Sequence, residues 1–537
     1  MRYTLTLIFS ILLLGGGYSQ ETQPFSNFQG RHHMKDPGEL LRMNELGRGF
    51  IPSLAPVAPV RNVAEFNRME GVLVAYDGGF GIPLALIAEM AQDCKVWTIV
   101  PSSSAQSTVT NLYNSNGISL TQNQFMLKPI DSYWTRDYGP WFIVDGNEQV
   151  GIVDFPYNRP RPNDDAIPAH VATAMGLNVY NMNLVHTGGN YMTDGMGVSA
   201  STTLVATENQ GLSTAQIGQL VLDYLGVHTY YLNNDPLGQY IEHIDCWGKF
   251  LDVDKVLIAE VPSSDPRYPD YEAVASFYAS HLSSYGTPYQ VIRVYAPNGQ
   301  PYTNSLILNE KVLVPIVSSA GALWNDTALA RYQQAMPGYE VIGIAQSNAA
   351  PWQSTDALHC RAKGIADRGI LDIRHMPLLG DLAPQSSYEL SARVIPCSGY
   401  SPIPDSMYCC LRINGGAWDT LPLVADTARW WRLSLPGYAP GTQVEYYLHA
   451  SDSSGRTETH PFIGEPDPHS FTVRYVVGEG EGSLPERTRL RIYPNPASDL
   501  SFVNFSSWSN GRVDIMVHAM DGRLVYEGSR AQVPEGK

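Results

Sequence analysis

The pattern of apolar and polar positions changes along the chain, and its most regular part begins near Arg61. From there, an amphipathic segment with helical spacing is followed at once by a β-rich run, five times in succession. The predicted helices are 83–92, 165–175, 213–225, 271–284 and 326–335, and the runs that follow them are 95–100, 177–182, 227–232, 289–294 and 339–344. Further apolar runs lie at 71–76, 141–155, 202–207, 256–261 and 306–317. The predicted repeat is therefore one helix with several strands.

This repeat predicts an α/β fold, for which two arrangements are open. Alternating strands and helices suggest an ordinary doubly wound sheet. The extra strands per helix favour instead a ring of modules, in which the loops of successive units meet near the axis. Polar motifs do fall in those loops. We therefore expect a five-module, pseudo-symmetric α/β-propeller over residues 61–382, with the open sheet as the alternative.

An all-β pattern replaces the repeat from about residue 383. Short β-type runs at 388–394, 407–413, 430–435, 443–450 and 471–476 are separated by turn signals. Residues 383–476 are therefore predicted to form an Ig-like β-sandwich. The Gly- and Glu-rich stretch 477–486 is predicted to be a flexible linker, and 487–537 is a further β-patterned segment.

The first 60 residues are predicted to lie outside the repeat. Residues 1–20 carry Arg2, an apolar run and small residues, as a secretion signal does, and the run is too short to span a bilayer. Residues 21–60 are polar, then rich in Pro and Gly, and are interpreted as a leader or pro-segment. His32 and His33 fall in this leader, which we expect to be mobile.

Charge and hydropathy limit which partners and which cellular location fit the sequence. A net charge of −17 argues against nucleic acid and mildly favours cationic substrates. Outside residues 1–20, the sequence contains no apolar stretch of membrane-spanning length. We therefore expect a protein that does not span the membrane. It would be exported through the periplasm and then secreted or attached to the outer membrane or cell surface.

Six cysteines are too few and too dispersed for a dense disulfide scaffold. We expect at most one bridge, from Cys397 to Cys409 or Cys410, because these three fall in the small β-domain. The other three fall in the repeat region and are expected to be reduced: Cys94, Cys246 and Cys360. No Cys/His cluster has zinc-finger spacing, and neither a metal nor another cofactor is predicted.

Candidate chemistry is concentrated in a few polar stretches between the predicted elements. Cys360 follows a strand and a loop, where nucleophilic cysteines are often exposed, although a free cysteine can equally be an inert core residue. An acid in an aromatic loop, such as Asp137, is usually a turn or cap residue. His243 and Asp245 are expected to share one face of an extended segment. Two carboxylates, a histidine and a cysteine from different units are more specific together than any one alone.

Such a set of groups suits a guanidinium substrate. This cation has a pKa of about 13.8, so it always arrives charged, planar and with five fixed donors. Two carboxylates can hold it in bidentate fashion and satisfy its charge in a buried site. A thiolate can then attack the central carbon, while an imidazole protonates the departing ammonia and afterwards activates water.

These stretches resemble the motifs of the guanidine-modifying superfamily, which includes agmatine deiminases, arginine deiminases and amidinotransferases and has a five-module α/β-propeller, the pentein fold. The likeness covers about residues 60–476 and is greatest to secreted bacterial peptidylarginine deiminases, which add an Ig-like domain and a C-terminal sorting domain. The matching motifs are Trp134-Thr-Arg-Asp-Tyr-Gly-Pro140, Gly188-Gly-Asn190, Glu242-His-Ile-Asp245, Asn158-Arg-Pro-Arg-Pro-Asn-Asp-Asp165, Pro301-Tyr-Thr-Asn-Ser305 and Thr355-Asp-Ala-Leu-His-Cys360.

The resemblance implies deimination of peptidyl arginine, preferentially at a C-terminus, to citrulline and ammonia through a cysteine thiouronium intermediate. It implies these site residues: Cys360 as nucleophile, His243 as general acid and base, Asp137 and Asp245 on the guanidinium, Asn304 near the thiol, and Trp134, Tyr240, Ile241 and Thr355 lining the pocket. The alternative is a small-molecule deiminase that acts on agmatine or free arginine. Residues 487–537 resemble an apparently truncated sorting domain, which implies the type IX secretion machinery as a partner.

Arg159 and Arg161 are candidates for a second recognition site. Each precedes a proline, which disfavours helix, so both are expected to project from one face of an extended segment. Two guanidinium groups on one face can bind a carboxylate. They could instead pair with Asp164 and Asp165 on the surface. The resemblance favours a clamp on the α-carboxylate of a peptide that ends in arginine.

Two other functions fit parts of the sequence. An inactive surface adhesin would account for export and for an Ig-like module, but it gives no reason for Asp137, His243, Asp245 and Cys360 to fit one reaction. A cysteine hydrolase that cleaves amides would use Cys360 and His243. The two carboxylates argue against it, because they would repel a developing oxyanion.

Overall fold

The computed structural model describes residues 33–474 apart from 319, 349, 350 and 428, and beyond them four strands that pair two by two. These strands are Leu490–Tyr493 with Phe502–Phe505, and Gly511–His518 with Leu524–Val533. The predicted signal peptide at 1–20 and the predicted linker at 477–486 lie outside the described residues. Within the described part of the chain, no helix has both the length and the apolar character needed to cross a membrane.

Five separate sheets between residues 61 and 366 share one plan, which confirms the α/β class and the fivefold repeat. In each unit, a first strand pairs antiparallel with a second, and the second pairs parallel with a third. Units 2 to 5 contain Trp141–Val144, Val150–Asp154 and Asn178–Asn181; Met192–Thr193, Val198–Thr202 and Thr229–Asn233; Gly248–Asp252, Lys255–Glu260 and Gln290–Tyr295; and Leu306–Leu308, Lys311–Ile316 and Glu340–Ala345.

Unit 1 is assembled from both ends of the repeat region. Its second and third strands are Met69–Ala75 and Lys95–Val100, and its first strand, Lys363–Ala366, comes from the end of the region. Asn123–Leu127 adds a further parallel strand. A short strand, Arg61–Asn62, extends unit 2. The last strand of the region is therefore bonded to the unit with which the region begins.

Helices join the second strand of each unit to its third, as parallel pairing requires. They are Leu84–Met90 in unit 1, Pro162–Asp165 and Ile167–Met175 in unit 2, Leu204–Glu208 and Thr214–Leu225 in unit 3, Tyr268–Ala279 in unit 4, and Ala320–Trp324 with Asn325–Ala335 in unit 5. The five predicted helices are all present, although 271–284 begins earlier than predicted, at Tyr268, and ends at Ala279.

The helix Thr214–Leu225 shows how local sequence sets these elements. Ser213 and Gln216 form a capping box at its start, an arrangement typically worth about 1 kcal/mol. Ile217, Val221 and Leu225 recur every four residues and are all buried. Gly226 ends the helix at φ +67°, a conformation that favours glycine, and a side chain there would collide with Val60.

One prediction for this region was wrong, and one helix was missed. The apolar run 202–207 is not a strand, because the strand ends at Thr202 and a helix begins at Leu204. The helix Ser103–Ser115 was not predicted, since it is mostly polar or β-branched and buries only Val109 and Tyr113. Ser102 caps its start by accepting a hydrogen bond from the backbone of Ala105.

The apolar cores lie between each sheet and the helices beside it. Leu86, Ile87 and Met90 of the first helix pack with Val96 and Ile99 of the sheet, and all are fully or almost fully buried. Further clusters of the same kind occupy units 4 and 5, and units 2 and 3. The core therefore surrounds the loops that enter each unit, and those loops carry the polar motifs.

An all-β domain of two sheets follows the five units. One contains Leu371–His375, Ser387–Pro396, Val424–Ala425 and Trp430–Pro436; the other contains Gly380–Leu382, Tyr408–Ile413, Asp419–Pro422, Gln443–Ser451, Thr457–His460 and His469–Val473. Two of these strands precede the boundary that the sequence places at 382/383. Arg456 pairs with Asp367 and Arg68 with Glu458 where this domain meets the five units.

The predicted disulfide is not formed, and all six cysteines are free and buried. Cys397 packs into the core of units 1 and 2, whereas Cys409 lies in the core of the all-β domain. The two thiols therefore face different cores. Cys94, Cys246 and Cys360 are reduced, as expected.

Candidate active site

The candidate catalytic residues occupy equivalent places in the five units, each a few residues before the first strand. Asp137 precedes unit 2, Gly189 unit 3, Asp245 unit 4, Asn304 unit 5 and Cys360 unit 1. Four of these loops contain a single helical turn: Thr135–Tyr138, Gly188–Asn190, Ile244–Cys246 and His359–Arg361. The repeat itself therefore brings together residues that are far apart in the sequence.

Asn304 holds the loop of Cys360 in place. Its side-chain nitrogen lies 3.3 Å from Sγ of Cys360, and its side-chain oxygen accepts a hydrogen bond from the backbone N–H of His359 at 3.0 Å. The same nitrogen reaches the backbone oxygen of Asp245 at 3.4 Å. Asn304 thus connects the thiol loop to the loop of unit 4.

Gly189 is the point at which three candidate side chains converge. A Cβ atom on Gly189 would lie 2.6 Å from Nδ1 of His243, 2.7 Å from Oδ1 of Asp137 and 3.3 Å from Oδ2 of Asp245. Its backbone N–H donates to Oδ1 of Asp137 at 3.1 Å. Gly188 has no room either, since a Cβ there would lie 2.0 Å from the backbone oxygen of Arg136. Only glycine leaves this space free.

His243 is fully buried, yet neither of its ring nitrogens forms a hydrogen bond with the described residues. Its Nδ1 lies 3.6 Å from Oδ1 of Asp137. Burial lowers the pKa of His243 to about 3, against the opposing effect of Asp137. A buried polar group without a partner is uncommon and indicates a place where a ligand or water belongs.

Asp245 lies in the helical turn Ile244–Cys246, so the prediction of an extended segment was wrong for it, although His243 itself has extended backbone. Its Oδ2 lies 2.7 Å from Nδ1 of His359 and 3.7 Å from Sγ of Cys360. The other nitrogen of His359 lies 2.6 Å from Glu65. Burial opposes ionisation of Asp245, but His359 and then His243 hold its pKa below the usual value.

Glu65 anchors a group of buried charges behind the site that the sequence reasoning missed. It pairs with Lys249 at 2.9 Å and with Arg136 at 3.1 Å, in addition to His359. Burial opposes the charge of Glu65, yet His359, Lys249 and Arg136 keep its pKa well below the usual value. Position next to Cys360 was the one sequence signal for His359, and no motif pointed to Glu65.

The surroundings shift the pKa values of Asp137 and Cys360 in opposite directions. Burial works against ionisation of Asp137, but His33 and His243 lower its pKa below the usual value. Burial, and then the charges of Asp245 and other acids, raise the pKa of the Cys360 thiol well above its ordinary range. The site is therefore acidic with a neutral thiol, and an entering cation would favour the thiolate.

The four residues predicted to line the pocket differ in burial, and one of them is exposed. Trp134 is fully buried, and the guanidinium of Arg361 lies 5.4 Å from its ring centre while it pairs with Asp356. Ile241 is buried in the core of units 4 and 5. Tyr240, half exposed, lies beside Thr355, which is buried. Arg361 was not predicted to take part, and it fixes the position of Trp134.

Arg159 and Arg161 are buried, and the chain between them is turned where we expected it to be extended. The backbone N–H of Arg161 donates to the backbone oxygen of Arg159 at 2.8 Å. Arg161 binds both carboxylate oxygens of Glu39, at 2.7 and 3.2 Å. Asp164 and Asp165, the partners expected otherwise, accept hydrogen bonds mainly from neighbouring backbone N–H groups.

His33, from the leader, lies inside the site, so the expectation of a mobile segment there was wrong. Its ring hydrogen-bonds to Asp137 and stacks on Trp134 with 4.4 Å between ring centres. Its backbone oxygen accepts a hydrogen bond from Arg159 at 3.3 Å. Within the described residues, His33, Asp137 and His243 also form the one group whose donor atoms lie close enough, within 4.8 Å, to hold a metal ion.

Comparisons with known proteins agree with this geometry. The family model of the Porphyromonas-type peptidyl-arginine deiminases matches residues 83–364, more than half of the chain. The chain belongs to that family. The matched range contains the residues that converge in the structure, which are Asp137, His243, Asp245, Asn304 and Cys360. This identifies the protein as a deiminase of the guanidine-modifying kind.

The individual relatives are named after a different substrate, agmatine. A protein of Legionella pneumophila named as an agmatine deiminase is 25% identical over 281 residues, which cover 48% of this chain and 79% of its own. The solved structure of the agmatine deiminase of Enterococcus faecalis matches with a TM-score of 0.50 and 18% identity over 57% of this chain and 96% of that one. Another structure described as an agmatine deiminase gives 0.52 and 18%, over 59% and 99%. These structures show the fold alone.

Proposed function

We propose that the protein deiminates peptidyl arginine, with preference for a C-terminal arginine, to citrulline and ammonia. One observation carries the substrate class: a single residue, His33, reaches Asp137 with its side chain and Arg159 with its backbone oxygen. An arginine residue in the same place would put its cation at the acids and its main-chain carboxyl group at the arginines.

In the proposed reaction, Asp137 and Asp245 hold the guanidinium by charge-assisted hydrogen bonds. The Cys360 thiolate attacks the central carbon, forming a C–S bond, and the C–N bond to one terminal nitrogen breaks. His243 takes the proton that the thiol gives up on forming the thiolate and passes it to that nitrogen, which leaves as ammonia. The same imidazole then takes a proton from water, whose oxygen displaces the sulfur and leaves the ureido group of citrulline.

The charge of the second site favours a C-terminal arginine over agmatine. Agmatine has no carboxylate and carries an additional ammonium group, which would face two buried guanidinium groups, Arg159 and Arg161. The carboxylate of Glu39 already occupies Arg161, which supports an anion as the natural ligand there. Agmatine or free arginine remains the second candidate, because the relatives bear the name agmatine deiminase.

The proposal extends to the architecture and the location. The pairing of Lys363–Ala366 with Met69–Ala75 supports closure of the five units into the pentein propeller, followed by an Ig-like domain. Export by a signal peptide and recognition of residues 487–537 by the type IX machinery stay proposals from the sequence. Fractionation of the producing cells, with the protein followed into periplasm, outer membrane and medium, tests them.

The substrate proposal is tested with a panel of four compounds analysed by mass spectrometry: peptides with C-terminal arginine, the same peptides amidated, free arginine and agmatine. Both the full chain and its H33A/E39A variant are used, because the variant lacks the two side chains that occupy the cleft. We expect a mass increase of about 1 Da, the exchange of an imino group for oxygen, chiefly on the free-acid peptide. Equal rates on acid and amide, or faster turnover of agmatine, would support the second candidate.

A further inference from the structure

The leader enters the catalytic cleft at residues 33–39 and then runs along units 2 and 3 as far as residue 57. Beyond His33, Lys35 lies 3.6 Å from Glu208, and Asp36 caps the short helix Pro37–Leu40, which presents Glu39 to Arg161. Farther along, Asn181 exchanges hydrogen bonds with Ile51 and Ser53. The segment is thus deeply buried at its start and then runs along the protein surface.

Polar anchors hold this segment, and many of its large apolar side chains are exposed. His33 and Glu39 are 3% and 2% exposed, whereas six large apolar residues of the same segment are exposed: Met34, Leu40, Leu41, Ile51, Leu54 and Val57. No residue of 33–57 belongs to an apolar core cluster of the described chain. A segment that contributes nothing to the core can leave the surface without unfolding the domain below it.

We infer that residues 33–57 are an intramolecular ligand of the catalytic cleft, which blocks substrate until the segment is displaced or removed. The inference rests on the proposed function, since the blocked groups are those assigned to the substrate. The ring of His33 hydrogen-bonds to Asp137 and stacks on Trp134, and its backbone oxygen accepts a hydrogen bond from Arg159. Glu39 binds Arg161. The segment therefore satisfies both recognition sites at once.

The covalent link makes this competition effective even if each contact is weak. A tethered ligand acts at an effective concentration on the order of millimolar, set by the length of the link. A peptide substrate must compete with that local concentration at Asp137 and Arg161 together. Cleavage of the chain beyond Glu39, for example after the exposed Leu54, would remove the advantage, because the freed segment would be diluted into solution.

The experiment compares full chains that differ only in this segment. One variant carries H33A and E39A, another carries an inserted recognition sequence for a site-specific protease after the exposed Leu54, and L41A is the matched control, because Leu41 is 85% exposed. Alkylation of Cys360 by iodoacetamide, followed by peptide mass spectrometry, measures access to the cleft without any substrate. The value of kcat/KM on a peptide with C-terminal arginine measures the access of a substrate to the cleft.

We expect alkylation of Cys360 and kcat/KM to rise at least tenfold in H33A/E39A and in the cleaved protein, and to stay at the wild-type level in L41A. A synthetic peptide of residues 33–57, added to the cleaved protein after the released fragment is removed, should raise KM and leave kcat unchanged. Faster alkylation with no turnover of any arginine compound would refute the proposed function and leave the blocking segment standing. Unchanged alkylation in folded H33A/E39A and in the cleaved protein would overturn the inference.

Discussion

The carboxylate of Asp245 lies 2.7 Å from Nδ1 of His359, the residue that precedes the candidate nucleophile. Because Glu65 receives the other nitrogen at 2.6 Å, the imidazole is fixed at both ends and in turn fixes the carboxylate. Asp245 is thereby aimed into the cleft by a neighbour that itself makes no contact with the proposed substrate position.

Replacement of His359 by glutamine should lower kcat/KM by about 10- to 100-fold, the size of effect that follows from a displacement of about 1 Å in an active site. KM should rise with it, since Asp245 is assigned to binding the guanidinium. Steady-state kinetics and the circular dichroism spectrum of the folded variant check this. A normal KM would show that Asp245 keeps its place without His359.

Replacement of Cys360 by alanine should abolish citrulline formation and leave the fold intact, because the change in volume is small. H243A should be comparably damaging, since His243 is the imidazole assigned to both proton transfers. Peptide binding should survive in C360A, and calorimetry can measure it. A folded C360A variant that keeps a tenth of the wild-type rate would remove the residue from the role of nucleophile.

G189A should inactivate the protein with little loss of stability elsewhere. The added methyl group would lie 2.6 Å from the ring of His243 and 2.7 Å from Asp137, so at least one of these side chains must move. G218A is the matched control, because Gly218 lies within the helix Thr214–Leu225 with nothing near the added atom. That control should gain up to about 1 kcal/mol of unfolding free energy and keep its activity.

R159A and R161A, made in the H33A/E39A background, should reduce kcat/KM sharply for peptides with C-terminal arginine. Amidated peptides should be poor substrates before the change and little affected by it, because they lack the carboxylate that the two arginines bind. The ratio of the two rates, acid over amide, is the quantity to measure. A ratio near one in the parent would eliminate the carboxylate clamp.

The stability contributed by His186 should depend on pH. Burial lowers the pKa of His186 to about 4, so the unfolded chain takes up a proton below about pH 6.5 that the folded chain refuses. Relative to H186Q, the wild type should lose up to about 1.4 kcal/mol per pH unit as the pH falls from about 6.5 to 4. Paired denaturant unfolding curves at several pH values check this. Parallel curves would mean that the histidine is protonated in the folded state.

Sequence patterns predicted the repeat, because apolar periodicity is a local property, and the polar loops singled out in the sequence meet in the structure. Local pattern could not reveal Glu65 or Arg136, whose charges are stable only because partners from distant loops surround them. The prediction that the leader is mobile at His33 was wrong for the same reason. His33 is ordered by Asp137 and Trp134, which lie about 100 residues farther along the chain.

The pairing of Lys363 with Leu73 has a consequence for the order in which the molecule forms. The two residues lie about 290 positions apart, a separation that makes loop closure entropically costly and slow. During synthesis, the carboxylates of units 2 and 4 are made long before the thiol, and Cys360 is made directly before the strand that pairs with the first unit. A nascent chain therefore lacks its nucleophile until nearly all of the repeat region has been made, whatever state its leader is in.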